Sequence, residues 1–112
     1  MKVRLVTRSA ADGCYYDSLT PGKDYEVLGI SGDWFRLLDD RAEPVLFDPA
    51  CFRVVDATEP GDWVSAVEDG VRYAYPPGWG TPGFFEGWHD GVPEVRRRFS
   101  EDLARRAAPP PA

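Results

Sequence analysis

The chain holds one histidine, two cysteines and one methionine in 112 residues, and each scarcity removes a class of chemistry. The lone histidine, His89, excludes the usual zinc sets, which draw on several imidazoles or thiolates. Cys14 and Cys51 are too few and too far apart for a cysteine metal cluster or a disulfide scaffold. No run approaches the ~18 apolar residues of a membrane span. The N-terminus, Met-Lys-Val-Arg-Leu-Val-Thr, has no signal-peptide apolar segment. The expectation is a cytoplasmic protein, away from membranes, whose thiols stay free in a reducing compartment. There is no Gly-x-Ser-x-Gly turn and no glycine loop of the phosphate-cradling kind before a helix. No cofactor is expected.

Basic residues are also in deficit. Thirteen Lys and Arg face nineteen Asp and Glu, a net charge of −6. Residues 1–56 carry seven basic and ten acidic side chains. Residues 57–92 carry Arg72 against six acids, and residues 93–112 five arginines against three acids. An acidic surface repels a phosphate backbone and attracts basic partners. Nucleic acid is therefore disfavoured, and the expected partner is a basic protein or peptide. The run Arg96-Arg97-Arg98 does not reverse this. Consecutive helical residues point about 100° apart, and Glu94, Glu101 and Asp102 lie near enough to neutralise them.

What the chain has in quantity is aromatic residues: four Trp, five Tyr and six Phe. In a small domain a few bulky rings supply burial that a larger core spreads over many side chains. Short β-type runs surround them. Val3, Leu5 and Thr7 alternate with Lys2, Arg4 and Val6, which predicts a first strand. A polar loop from Arg8 to Ser18 holds the pair Tyr15-Tyr16. Thr20-Pro21-Gly22-Lys23 is a turn, proline setting one corner and glycine the other. Strands are predicted over Asp24–Ile30, Trp34–Leu38 and Val45–Phe47, with Pro44 able to open the last at an edge. Asp48-Pro49-Ala50-Cys51 reads as one 3₁₀ turn with Asp48 accepting at its start. Phe52–Val55 closes the set.

These pieces resemble an SH3-like barrel over residues 2–56. Leu19–Leu28 is similar to the diverging turn and second strand of that family. Asp33-Trp34-Phe35-Arg36-Leu37 resembles its paired-aromatic third strand. Pro49-Ala50-Cys51-Phe52-Arg53-Val54 resembles its Pro-x-x-Tyr-Val segment, with Phe52 at the tyrosine position. The resemblance implies a closed five-stranded antiparallel barrel and a groove that binds protein or peptide through Tyr15, Tyr16, Trp34, Pro49 and Phe52. Two departures thin that groove. Val3-Arg4-Leu5-Val6 lacks the Ala-Leu-Tyr-Asp-Tyr signature, and Phe52 has no hydroxyl for a ligand carbonyl.

The fold class expected is mainly β with a C-terminal helix. Residues 1–56 form the barrel, 57–108 an aromatic hairpin-and-helix extension packed on it, and 109–112 a disordered tail. Trp63-Val64 and Val71–Tyr75 are β-type runs around the hairpin signal Glu68-Asp69-Gly70. Pro76–Gly83 is a stiff irregular loop carrying Trp79, and Phe84–His89 is one helical turn. A helix starts near Pro93, with Val95, Phe99, Leu103 and Ala107 forming a narrow apolar stripe. Exposed rings in such number would make an aggregation-prone surface. Trp79, Phe84, Phe85 and Trp88 are therefore expected to fold back over the groove. The run Pro82–Gly91 also resembles a stretch that recurs in small bacterial proteins, and no activity follows from it.

Two functions compete. The first is a non-catalytic protein-binding module, such as an antidote covering a basic toxin. The alternative is a small enzyme or ligand-binding protein using Glu86, His89 and Asp90. Glu86-x-x-His89 puts a carboxylate and an imidazole on one helical face. Dimetal sites of that type, however, need two copies and further acids on other helices. The plainer reading of His89 is a residue that packs or caps at a helix boundary. Cys14 and Cys51 have only His89 as a possible base. No constellation of residues marks an enzyme.

Overall fold

The computed structural model describes residues 1–107, so the tail expected at 109–112 lies outside the described residues. Among the described residues the chain is mainly β with a C-terminal helix. The strands are β1 (Lys2–Leu5), β2 (Asp24–Ser31), β3 (Trp34–Leu38), β4 (Pro44–Phe47), β5 (Phe52–Asp56), β6 (Val64–Glu68) and β7 (Val71–Tyr75). The helices are α1 (Phe84–His89) and α2 (Pro93–Ala107), and a 3₁₀ turn spans Pro49–Cys51. The chain divides into two compact units after Pro77. The hairpin β6–β7 falls in the first unit, because β7 hydrogen-bonds β2.

All pairings are antiparallel, in the order β4-β3-β2-β1-β5 with β7 and β6 branching from β2. The expected barrel closure does not occur: the sheet is open. Between β4 and β5 the residues Asp48–Cys51 wind into the 3₁₀ turn instead of continuing a ladder. Asp48 accepts from the Ala50 amide and Pro49 accepts from the Phe52 amide. The Cys51 carbonyl is taken by the amides of Val6 and Thr7. β5 lies along β1 and β4 stays at the opposite edge, with no ladder between them among the described residues.

Two tight hairpins set the registers. The β2–β3 turn is Gly32-Asp33 (φ 58° and 68°) and the β6–β7 turn is Asp69-Gly70 (φ 51° and 79°). Positive φ at both central residues is what a two-residue hairpin with the native strand twist requires. Asp33 then joins the hairpins: its amide donates to the Arg72 carbonyl at 3.0 Å, and its carboxylate accepts the Arg72 amide at 3.2 Å.

β2 serves three neighbours. Its first residues pair with β1, and Ile30 and Ser31 pair with β7 while β3 runs along the other edge. The strand manages this with a bulge at Leu28, where Val27 pairs with Leu37 but Gly29 already pairs with Arg36. The extra residue shifts the phase, so Val27 and Ile30 both point into the core. This accounts for the uneven alternation along Asp24–Ile30. The core itself joins Val3, Leu5, Leu19, Tyr25, Phe35, Leu37 and Phe47. On the other face, the Tyr75 ring packs against Gly29, where a Cβ would meet its edge at 2.2 Å. Arg36 fixes that ring, donating to the Tyr75 hydroxyl at 2.9 Å and to the Pro44 carbonyl at 3.0 Å.

The second unit is built on Trp79. Its ring stacks on Phe84 and meets Phe99 at 4.8 Å between centroids, with Phe85 edge-on. The indole N–H donates to the Asp102 carboxylate at 3.0 Å. Asp102 also receives Arg98 and Arg105, so α2 places its arginines around an inward-turned acid. Phe99 of the predicted stripe is buried, and Val95 and Leu103 are half-buried.

Replacing Gly29 with Ala should displace the Tyr75 ring and cost about 1–3 kcal/mol, the usual penalty for overpacking. Urea denaturation measures it. Stability equal to that of the parent would show that the ring does not need the glycine.

Candidate functional site

The loop between β1 and β2 is the most elaborately built surface segment. Residues 8–19 fold into a small hairpin of their own. Ser9 and Tyr15 form a β-bridge. The Tyr16 amide donates to the Arg8 carbonyl at 2.8 Å, and the Ala10 amide donates to the Cys14 carbonyl at 2.9 Å. Arg8 donates from Nε to the Leu19 carbonyl at 2.8 Å and from Nη1 to the Tyr15 hydroxyl at 3.2 Å. Leu19, fully buried, plugs the loop into the core.

Adjacent tyrosines consequently do opposite things. Tyr16 turns inward and meets Phe47 edge-to-face at 4.9 Å. Its hydroxyl accepts the Asp48 amide at 3.1 Å, and burial pushes its pKa up. Tyr15 turns outward and is 60% exposed. Asp12 and Asp17, both exposed, stand on the same loop. Asp17 has one loose ionic contact, 3.5 Å from Arg41.

The loop is clamped at its base by Asp40. That carboxylate accepts from Thr20 Oγ1 at 2.6 Å, from Lys23 Nζ at 2.7 Å and from the Tyr25 hydroxyl at 2.9 Å. The Asp40 amide donates to the Ser18 carbonyl at 2.8 Å. The Lys23 hydrogen bond, helped by Thr20 and Tyr25, holds the Asp40 carboxyl down at about 2. In the sequence Asp40 stands among Asp39, Arg41 and Glu43 between β3 and β4, with nothing local to single it out. Its only signal there is the diverging-turn lysine, which no local spacing connects to residue 40.

Of the other residues expected at a groove, Phe52 meets Phe35 at 5.9 Å and Phe47 at 6.5 Å, packing against the core. Pro49 opens the 3₁₀ turn beside Asp48, next to Tyr16. Tyr16 and Phe52 thus meet through Phe47, and Asp48, bonded to Tyr16, precedes Pro49, whereas Tyr15 points away from this cluster. Trp34 is half-buried at the start of β3. Strand alternation puts it with Arg36 on the face opposite Phe35 and Leu37, so it does not join the Tyr16–Phe47–Phe52 cluster.

The residues of the alternative reading lie on the second unit. Glu86 and His89 are exposed on α1, with the His89 ring edge-on to Trp88 at 5.1 Å. Asp90 caps the helix through its amide, which donates to the Glu86 carbonyl. Among the described residues no three His, Cys, Asp or Glu side chains gather as metal ligands. Both cysteines are biased toward the thiol, Cys14 by hydrogen bonding to Asp12 and Cys51 by burial. Among the described residues no helix is long and apolar enough to cross a membrane. Compared with known proteins, the chain gives no significant match to a family model, a curated protein or a solved structure.

Tyr16→Phe should cost about 1 kcal/mol, since it strands the Asp48 amide, whereas Tyr15→Ala should stay within about 0.5 kcal/mol of the parent. Equal losses in chemical denaturation would contradict the inward–outward division. Asp40 has a folded pKa below its ordinary value, so its contribution is present above pH ~4 and disappears as pH falls through about 2. Asp40→Asn should therefore be less stable at neutral pH by up to about 1 kcal/mol, solvent screening included. Urea midpoints of the two proteins should converge in acid, and parallel curves would dismiss the clamp.

Proposed function

We propose that the chain is a non-catalytic protein-binding module that docks a basic, proline-containing segment of a partner through the β1–β2 loop. The observation that carries this reading is the exposed Tyr15 ring on a loop made rigid by its own hydrogen bonds, with Asp12 and Asp17 exposed on the same loop. A fixed, amphipathic ring loses little conformational entropy when a partner covers it. Carboxylates around it attract cationic side chains and speed their arrival. Tyr16 and Phe52 support the ring's loop from beneath, whereas Trp34, on the opposite face of β3, stands outside this docking surface.

The strand order β4-β3-β2-β1-β5 and the 3₁₀ turn between β4 and β5 support an SH3-like arrangement for residues 1–56, in open form. In that arrangement the β1–β2 loop is where a peptide ligand is met. The net charge of −6 supports a basic partner over a nucleic acid.

The test uses fluorescent proline-containing peptides of about ten residues, with or without two arginines, followed by anisotropy at about 50 and 500 mM salt. The arginine peptides should bind at low salt and weaken at least about tenfold at high salt, and by a similar factor with Tyr15→Ala. Neutral peptides binding as well as basic ones would refute the reading. So would unchanged affinity in Tyr15→Ala.

A further inference from the structure

Among the described residues three strands form edges of the sheet: β4, β5 and β6. Natural edges carry devices against unwanted pairing, such as proline, charge, bulges or shortness. β4 has four residues and begins at Pro44. β5 carries Arg53 and Asp56 and has an irregularity where it meets Lys2 and Val3. β6, Val-Ser-Ala-Val-Glu, has no proline and no bulge, its one charge is the terminal Glu68, and all five of its residues are exposed.

The hairpin register shows which groups the edge offers. Glu68 and Val71 flank the two-residue turn, so they form a hydrogen-bonded pair. Pairs alternate along an antiparallel ladder, which makes Ala66–Tyr73 and Val64–Tyr75 the next hydrogen-bonded pairs. The N–H and C=O groups of Ser65 and Val67 therefore point away from β7, out of the sheet. Val64 and Val67, 65% and 70% exposed, sit on opposite faces of the strand. A partner resting on one face of the sheet would cover only one of them. A strand laid alongside β6 would cover both and satisfy the outward backbone groups.

We propose that β6 is a strand-addition site for an extended peptide segment of a partner protein, apolar in its centre and basic at its ends. Charge complementarity fixes the occupant. Asp62 precedes the strand, Glu68 ends it and Asp69 follows it, all exposed. Within the first unit, residues 57–77 carry one arginine against four acids, and that arginine, Arg72, is held bidentate by Glu59 at 2.5 and 2.6 Å while its Nε donates to the Ser65 hydroxyl at 3.1 Å. A second copy of β6 laid antiparallel would bring Glu68 and Asp69 toward the Asp62 end of its neighbour, like charge against like. A basic-ended strand meets attraction at both ends. The site is independent of the Tyr15 loop, so either reading can fail without the other.

The probe is the synthetic peptide Lys-Lys-Val-Thr-Val-Thr-Val-Lys-Lys added to the full chain. Binding should protect the Ser65 and Val67 amides from hydrogen exchange and leave the Tyr15 loop unaffected. Val67→Pro removes an outward donor while sparing the β6–β7 ladder, and should weaken binding at least about tenfold. Val67→Lys, which charges the edge without touching the backbone, should weaken it as well. Circular dichroism and the retained Tyr15-loop spectrum verify that both variants fold. Three results would overturn the proposal: no binding, binding with undiminished affinity to both variants, or protection of Ser65 and Val67 by self-association without peptide.

Discussion

The fold depends on one strand bending. β2 is the only described strand with three partners, β1 and β7 along one edge and β3 along the other. A straight eight-residue strand cannot point Val27 and Ile30 into the same core while following β1 at one end and β7 at the other. The extra residue at Leu28 supplies both the bend and the change of phase. Gly29, next along, leaves the outer face bare so that Tyr75 can lie on it. The hairpin β6–β7, the Arg36–Tyr75 contact and the free β6 edge all follow from that bend.

The aromatic residues are deployed in two separate clusters. Tyr16, Phe35, Phe47 and Phe52 form an edge-to-face set within the first unit. Trp79, Phe84, Phe85 and Phe99 form another within the second. Each tolerates its polar handle because the handle is answered: Tyr16 by the Asp48 amide, Tyr25 by Asp40, Trp79 by Asp102. Among the described residues no buried side-chain nitrogen or oxygen lacks a partner. A core this small gains specificity from those pairings, since each ring fits in only one orientation.

Rigidity near the exposed surface bears on the proposed docking. The β1–β2 loop is anchored by Leu19 in the core, by Arg8 across its waist and by Asp40 at its base. Ordering lost before binding is not lost again on binding. The exposed ring of Tyr15 is thus presented on a scaffold rather than on a flexible tether, and the acidic surroundings act at longer range than the ring does.

Local chemistry in the chain was enough to place most elements. Thr20-Pro21-Gly22, Glu68-Asp69-Gly70 and Asp48-Pro49 dictate their own turns, because proline and glycine fix dihedral angles whatever surrounds them. The period-four stripe through Phe99 likewise announced α2. Three other things were settled only in three dimensions. The sheet is open because no ladder joins β4 to β5 among the described residues; β5 pairs with β1, more than forty residues away in the chain. Tyr15 and Tyr16 parted company because one faces Phe47 and the other faces water, although their local sequence is shared. Asp40 became the loop's anchor through partners fifteen to twenty residues away. Local dihedral preferences act within a few residues and can be read in order; burial and hydrogen-bond partnership depend on which distant segments the core brings together.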